Sequence, residues 1–202
     1  TEFVLTLACR QCRTWHEEGL PIGIAVNVSA RNVQDPLFPE RIAHLLAACG
    51  LEARWLTLEI TESSIVSDAV HAARVLKELR VMGLSLSIDD FGTGYSSLTH
   101  LKQLPVNEIK VDRSFIRDMV RSDSDAAIVH STIDMSHNFG YEVVAEGVED
   151  EATCEFLARL GCDMAQGYFL GVPMMPAEVG RWIEASRWEL KRRGGARERT
   201  ER

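Results

Sequence analysis

A set of oxygen- and nitrogen-bearing side chains recurs along this sequence at the ends of short apolar-alternating runs: Asn27, Glu59 with Glu62, Asp89 with Asp90, Lys110 with Asp112, Glu146 with Glu149, and Gln166. If those runs lie side by side, the carboxylates converge on one mouth. They would then repel one another and be driven toward protonation unless divalent cations neutralised them. A ligand set made of carboxylates and amide carbonyls, with no Cys or His, suits Mg2+ or Mn2+ rather than structural zinc. Two such ions are the usual device for in-line displacement at phosphorus. Lys110 adds a fixed positive charge for a phosphate or an attacking water.

The elements that must position these residues follow from periodicity. Strands are expected at Gly23 to Ser29, Trp55 to Thr61, Leu84 to Asp90, Glu108 to Asp112, Glu142 to Glu146 and Met164 to Leu170. Helical spacing fills Pro39 to Cys49, Ser67 to Met82, Ser124 to Phe139, Glu151 to Leu160 and Ala177 to Lys191. Gly50, Gly83, Gly140 and Gly161 each close a helical stretch shortly before a strand. This alternation predicts a parallel sheet covered by helices. One parity of the strands is apolar (Ile24, Val26, Val28; Leu56, Leu58, Ile60; Leu84, Leu86, Ile88; Ile109, Val111) and packs under helices. The other reads Ala25, Asn27, Ser29; Thr57, Glu59, Thr61; Ser85, Ser87, Asp89; Glu108, Lys110, Asp112.

A polar parity could face bulk water, as in an open antiparallel sheet. The long helical connections argue instead for an α/β fold, a (β/α)8-type (TIM-like) barrel with a wet, metal-filled or substrate-filled interior. Function in such barrels gathers where strands run out at their C-terminal ends. About six of eight strands are expected in the sequence, with two strands expected upstream of Thr1.

The chain has 202 residues, 46% hydrophobic and 26% charged, which excludes disorder as its main state. No run of about 18 apolar residues is present to span a membrane, and no export signal is visible. Net charge is −8, unevenly placed. Residues 187–202 hold seven basic and three acidic residues, which leaves 15 basic and 27 acidic in 1–186, a net of −12. That body disfavours binding of a DNA or RNA polymer. The domain is expected to occupy residues 1–186, with 187–202 the end of the last helix and a basic, disordered tail. Five cysteines at irregular spacing point to reduced thiols in the cytoplasm. Cys9, Cys12 and His16 share a helix face and could touch one metal, but Leu5, Ala8, Cys9, Cys12 and Trp15 form an apolar stripe, and core packing is the expectation.

The segment Asp89 to Leu98, DDFGTGYSSL, can deliver both aspartates and fold back over the mouth, with Phe91, Gly92, Thr93, Gly94 and Tyr95 as the covering loop. Together with VNVSARN (26 to 32), LEITES (58 to 63), LPVNEIKVDRSFI (104 to 116), VAEGVE (144 to 149) and AQGYFLG (165 to 171), it resembles the EAL-type cyclic-di-GMP phosphodiesterases of bacterial signalling. The resemblance covers nearly the whole chain. It implies a modified (β/α)8 barrel and metal-dependent hydrolysis of one phosphodiester bond of cyclic di-GMP to linear pGpG, with two divalent cations, Mg2+ or Mn2+.

Position by position, the resemblance makes Asn27, Glu59 and Asp89 ligands of one metal, with Asp90 and Glu146 serving the second. Lys110, Glu146 and Asp89 carry the catalytic roles, Lys110 through the attacking water or a metal-ligand carboxylate. Glu62 holds the covering loop, while Asp112, Glu149 and Gln166 support substrate or water. The Glu-Ala-Leu motif itself and its following Arg are expected upstream of Thr1, so the 202 residues alone are expected to be impaired. The resemblance further implies pairing as homodimers and fusion to sensory or cyclase domains in bacterial cytoplasm. A non-catalytic cyclic-di-GMP-binding or interaction module is the other reading. An enolase-like Mg2+ barrel shares the strand-end carboxylates but does not predict DDFGTGYSSL.

Overall fold

Alternation between apolar strand faces and helical spacing resolves into six parallel strands in sequence order: β1 (Ile24–Val28), β2 (Leu56–Thr61), β3 (Ser85–Phe91), β4 (Glu108–Val111), β5 (Glu142–Glu146) and β6 (Met164–Gln166). The computed structural model describes residues 1–66, 69–92 and 101–188, without the side chains of 65, 66, 69 and 70. Ser67 at the start of one expected helix, Thr93, Gly94 and Tyr95 of the covering loop, and 189–202 of the basic tail lie outside the described residues.

Helices precede, join and follow the strands: α1 (Glu2–Glu17), α2 (Ala30–Val33), α3 (Phe38–Cys49), α4 (Glu62–Val66), α5 (Ala69–Val81), α6 (Arg113–Ile116), α7 (Asp123–Asn138), α8 (Glu151–Arg159) and α9 (Val179–Ala185). Every adjacent strand pair is parallel, and the sheet curls as part of a TIM-like barrel. Its convex face is the main core. Leu56, Leu58, Ile60, Leu86 and Ile88 are fully or almost fully buried there against Leu5 and Cys9 of α1, Phe38 and Ile42 of α3, and Leu76 and Leu79 of α5. A second cluster places Val111, Val143 and Ala145 under Val129 and Ile133 of α7 and Leu157 of α8. Fully burying each such aliphatic side chain contributes roughly 1.5–3 kcal/mol. No helix among the described residues is long and apolar enough to cross a membrane.

Cys9 and Cys12 are wholly buried in that core. Burial, then the neighbouring Cys49 and Cys12 thiols, push Cys9 up to about 12, and burial pushes Cys12 up to about 11. The Cys12 thiol donates to the Ile22 carbonyl at 3.3 Å, and His16 Nε2 lies 2.8 Å from the same oxygen. These thiols pack as small hydrophobes, as expected from their stripe.

Three boundaries need correction, and the first is the last helix, expected over Ala177 to Lys191, which ends at Ala185 because Ser186 turns extended, so Arg187 and Trp188 are not its end. The last strand ends at Gln166 rather than Leu170, because Gly167 packs against the backbone of Val148 so tightly that a Cβ there would come within 2.1 Å of the Val148 oxygen. The amide of Val148 donates to the Gln166 carbonyl, which ties the turn after β5 to the end of β6. Phe91, expected in the covering loop, is the final residue of β3, paired with Val111 and packed against the core.

A candidate metal centre on the concave face

The concave face carries the polar parity. Parallel pairing places Asn27 beside Glu59, Glu59 beside Ser87, and Ser87 beside Glu108. Side chains that alternate from the buried apolar ones must point into the curl. Thr57, Ser87, Glu108 and Lys110 are all at most 5% exposed there. The Ser87 hydroxyl is buried with no hydrogen-bond partner among the described residues, so the interior is polar beyond what its own side chains satisfy.

Lys110 organises the centre. Its Nζ lies 2.6 Å from Glu146 Oε1, 2.9 Å from Asp89 Oδ1 and 3.0 Å from Glu59 Oε1, joining β4 to β5, β3 and β2. Asn27 on β1 donates its Nδ2 to Glu59 Oε2 at 3.1 Å, which leaves its carbonyl oxygen as an acceptor. Burial alone would push Lys110 down, but the bond to Glu146, the charge of Glu59 and the bonds to Asp89 and Glu59 outweigh it and hold the ammonium well above the ordinary lysine value. Burial pushes the Glu146 carboxyl up, against the pull of the Lys110 hydrogen bond and with added repulsion from Asp89 and Glu59.

Asp89 and Asp90 are consecutive, and in a regular strand they would face opposite sides of the sheet. The β3–β4 register shifts between Ile88 and Phe91, and Asp90 sits at φ 54°, the left-handed region that Asp tolerates better than most residues. This bulge lets ligand oxygens of Asp89, Asp90 and Glu146 lie within 4.8 Å of one another. Burial, then the charges of Asp89 and Asp112, raise Asp90 against the pull of Lys110. Carboxylates whose pKa values are raised by burial and by one another form a site that a divalent cation would relieve. The donor set fits such an ion: Asp89, Asp90 and Glu146 as carboxylates, with Glu59 and the Asn27 carbonyl beside them.

The supporting residues separate into two groups. Glu62, 5% exposed at the start of α4, accepts the Gly92 amide at 3.2 Å and so anchors the chain just beyond the two aspartates. Asp112 is the N-cap of α6, accepting the Ser114 amide at 2.9 Å. Partial burial would raise Asp112, but the bonds from Ser114, the Arg113 amide and the Arg113 charge hold it below the usual range. Gln166 pairs in register with Glu146 at the end of β6, and Glu149 lies exposed in the turn that follows β5. Neither is bonded into the Lys110 network. Sequence reasoning placed Ser87 on the polar parity without giving it a role and did not single out Arg113, although Arg113 follows Asp112 directly within VDRSFI.

Comparison with known proteins identifies the family. Residues 1–173 match the EAL domain. This chain belongs to the EAL domain family. It is 37% identical to the EAL domain of Mycobacterium smegmatis DcpA, with a TM-score of 0.86 over 92% of this chain and 84% of that one. It is 44% identical to the PaMucR phosphodiesterase solved as a c-di-GMP complex, with a TM-score of 0.84 over 88% of this chain and 72% of that one. Among curated relatives, the bifunctional diguanylate cyclase/cyclic di-GMP phosphodiesterase MucR of Pseudomonas aeruginosa is 46% identical over 88% of this chain. Cyclic di-GMP phosphodiesterase PA2567 of the same species is 37% identical over 91%. The EAL chain spans 26% and 31% of those two relatives' lengths.

Proposed function

We propose that this EAL domain hydrolyses cyclic di-GMP to linear pGpG with the aid of divalent cations. The observation that carries the reading is the convergence of Asn27, Glu59, Asp89, Asp90 and Glu146 around Lys110 at the C-terminal ends of neighbouring strands. Relatives named as phosphodiesterases, and a related EAL protein of Klebsiella pneumoniae, BlrP1, solved as a manganese/cy-diGMP complex at 31% identity, support both the substrate and the metal class. Asn27, Glu59, Asp89, Asp90 and Glu146 would hold two Mg2+ or Mn2+ ions. Those ions would supply charge neutralisation at the phosphate and a more acidic water.

The chain's own groups set the rest. A lysine clasped by three carboxylates stays protonated at neutral pH, so Lys110 serves as a hydrogen-bond donor and fixed charge and not as a general base. It holds Glu59, Asp89 and Glu146 in one orientation, which pre-organises the ligand set. Glu62, through the Gly92 amide, keeps the chain after Asp90 from drifting off the mouth. Asp112, Glu149 and Gln166 are assigned to the rim, supporting substrate or water. Homodimer pairing, fusion to sensory or cyclase domains and a cytoplasmic setting belong to the same reading.

Incubation of the complete domain, with its expected Glu-Ala-Leu strand, with cyclic di-GMP and Mn2+, followed by chromatography, tests it. Conversion to pGpG is expected. Intact substrate alongside calorimetric binding would instead mark a non-catalytic receptor, and absence of both binding and turnover would mark a pure interaction module.

A further inference from the structure

A cyclic dinucleotide carries two phosphodiester anions, and the centre around Lys110 accounts for one. The second must be accommodated on a rim whose assigned groups, Asp112 and Glu149 beside the neutral Gln166, carry no positive charge, in a body of net charge −12 over residues 1–186. Lys110 offers that second anion nothing, since its ammonium is enclosed by Glu59, Asp89 and Glu146 and its side chain is 5% exposed. An uncompensated anion on this rim would be repelled.

Arg113 is the cation placed to meet it. It is exposed, and among the described residues it makes no ion pair. It follows the N-cap Asp112 at the first position of α6, three residues beyond Lys110, so its Cα lies at most about 11 Å from the Cα of Lys110. Its charge acts on Asp112, and the charge of Asp112 acts on Asp90.

The base of its side chain is packed against the turn after β5. Gly147, at φ 70° immediately after Glu146, presses so closely that a Cβ there would come within 2.5 Å of Arg113 Cβ. The turn leaving one candidate metal ligand therefore packs against the base of the side chain that leaves β4. An arginine presents a planar fork suited to a phosphate oxygen pair.

We infer that Arg113 binds the non-reacting phosphate of the cyclic dinucleotide and so favours two-phosphate substrates over single phosphodiesters. This rests on the reading given under Proposed function. The test compares wild type, Arg113→Ala and Arg113→Lys in the complete domain, with its expected Glu-Ala-Leu strand, and Mn2+, using cyclic di-GMP and the one-phosphate diester bis(p-nitrophenyl) phosphate. For R113A the KM for cyclic di-GMP should rise about tenfold or more with a smaller change in kcat, consistent with a lost charge-assisted contact. The ratio of kcat/KM for cyclic di-GMP to that for the small diester should fall by a similar factor, and R113K should recover part of it. The rise of KM with added NaCl should be shallower in R113A.

A wild-type protein that cleaves cyclic di-GMP while R113A keeps KM and the substrate ratio within about twofold overturns the Arg113 assignment alone. A wild-type protein that leaves cyclic di-GMP intact overturns the functional reading and this assignment together. Equal losses on both substrates would mean that Arg113 acts through the metal centre or the fold, which also contradicts the inference.

Discussion

Replacing Lys110 by Met separates the two charges that can hold the concave face together, the ammonium and a divalent cation. In the metal-free protein Lys110 neutralises three carboxylates at 2.6, 2.9 and 3.0 Å, and its own side chain is 5% exposed while those of Glu59, Asp89 and Glu146 are 12%, 12% and 17% exposed. Methionine fills a similar volume but leaves the three acids facing one another. Removing one partner from a buried ion pair costs about 3–5 kcal/mol. For a domain of this size each kcal/mol lowers Tm by about 2–4 °C, so a fall of about 6–20 °C is expected. Mn2+ should replace the missing charge and recover at least half of the fall. Thermal melts of wild type and K110M in EDTA and in excess MnCl2 measure this directly. A metal-free K110M melting within about 2 °C of wild type, under 1 kcal/mol, would refute the claim that Lys110 is the counter-charge of the centre.

Three further expectations concern the same residues. Asp90→Gly should raise the metal-free Tm, because glycine accepts φ 54° without strain and about 1 kcal/mol of left-handed cost is relieved, while Mn2+ affinity measured by calorimetry falls at least tenfold. Glu62→Gln should lower kcat about tenfold with little change in Mn2+ affinity, since it weakens a charge-assisted bond to the Gly92 amide worth roughly 1.5–3 kcal/mol and removes no ligand. Asp90 and Glu146 have raised folded-state pKa values, so in metal-free protein they favour folding most below their unfolded values, and that contribution is lost as pH rises through the folded ones. Mn2+ needs the deprotonated forms, so its stabilisation should be larger at about pH 7.5 than at about pH 5, and an equal Tm increment at both would count against these two residues as ligands.

Strand parity made most of the site legible. Thr57, Glu59, Ser87, Asp89, Glu108 and Lys110 read as one polar face, and the structure buries all six in the curl. What parity could not express was local deviation from it. Asp89 and Asp90 reach the same mouth through a bulge, and the same bulge carries Phe91 onward as strand where the two following glycines had suggested a loop.

The short helices α2 and α6 were invisible because four residues hold barely one turn and show no period. Their signals were the caps, Ser29 and Asp112, which parity assigned to strand ends. Lys110 was expected to meet phosphate, the attacking water or a metal-ligand carboxylate, and it is the carboxylate contact that the structure shows, three times over. That three acids share its charge is a consequence of curvature that brings β2, β3 and β5 to one lysine and that no linear spacing encodes. Arg113 stayed hidden because its placement depends on Gly147, a contact between two separate strand ends.

Crystals of the full chain soaked in MnCl2 and measured at the manganese absorption edge would locate the ions without reference to activity. The account predicts two anomalous peaks about 3.5–4 Å apart, enclosed by Asn27, Glu59, Asp89, Asp90 and Glu146. Peaks confined to surface carboxylates, or none within coordination distance of Asp89, Asp90 and Glu146, would contradict it.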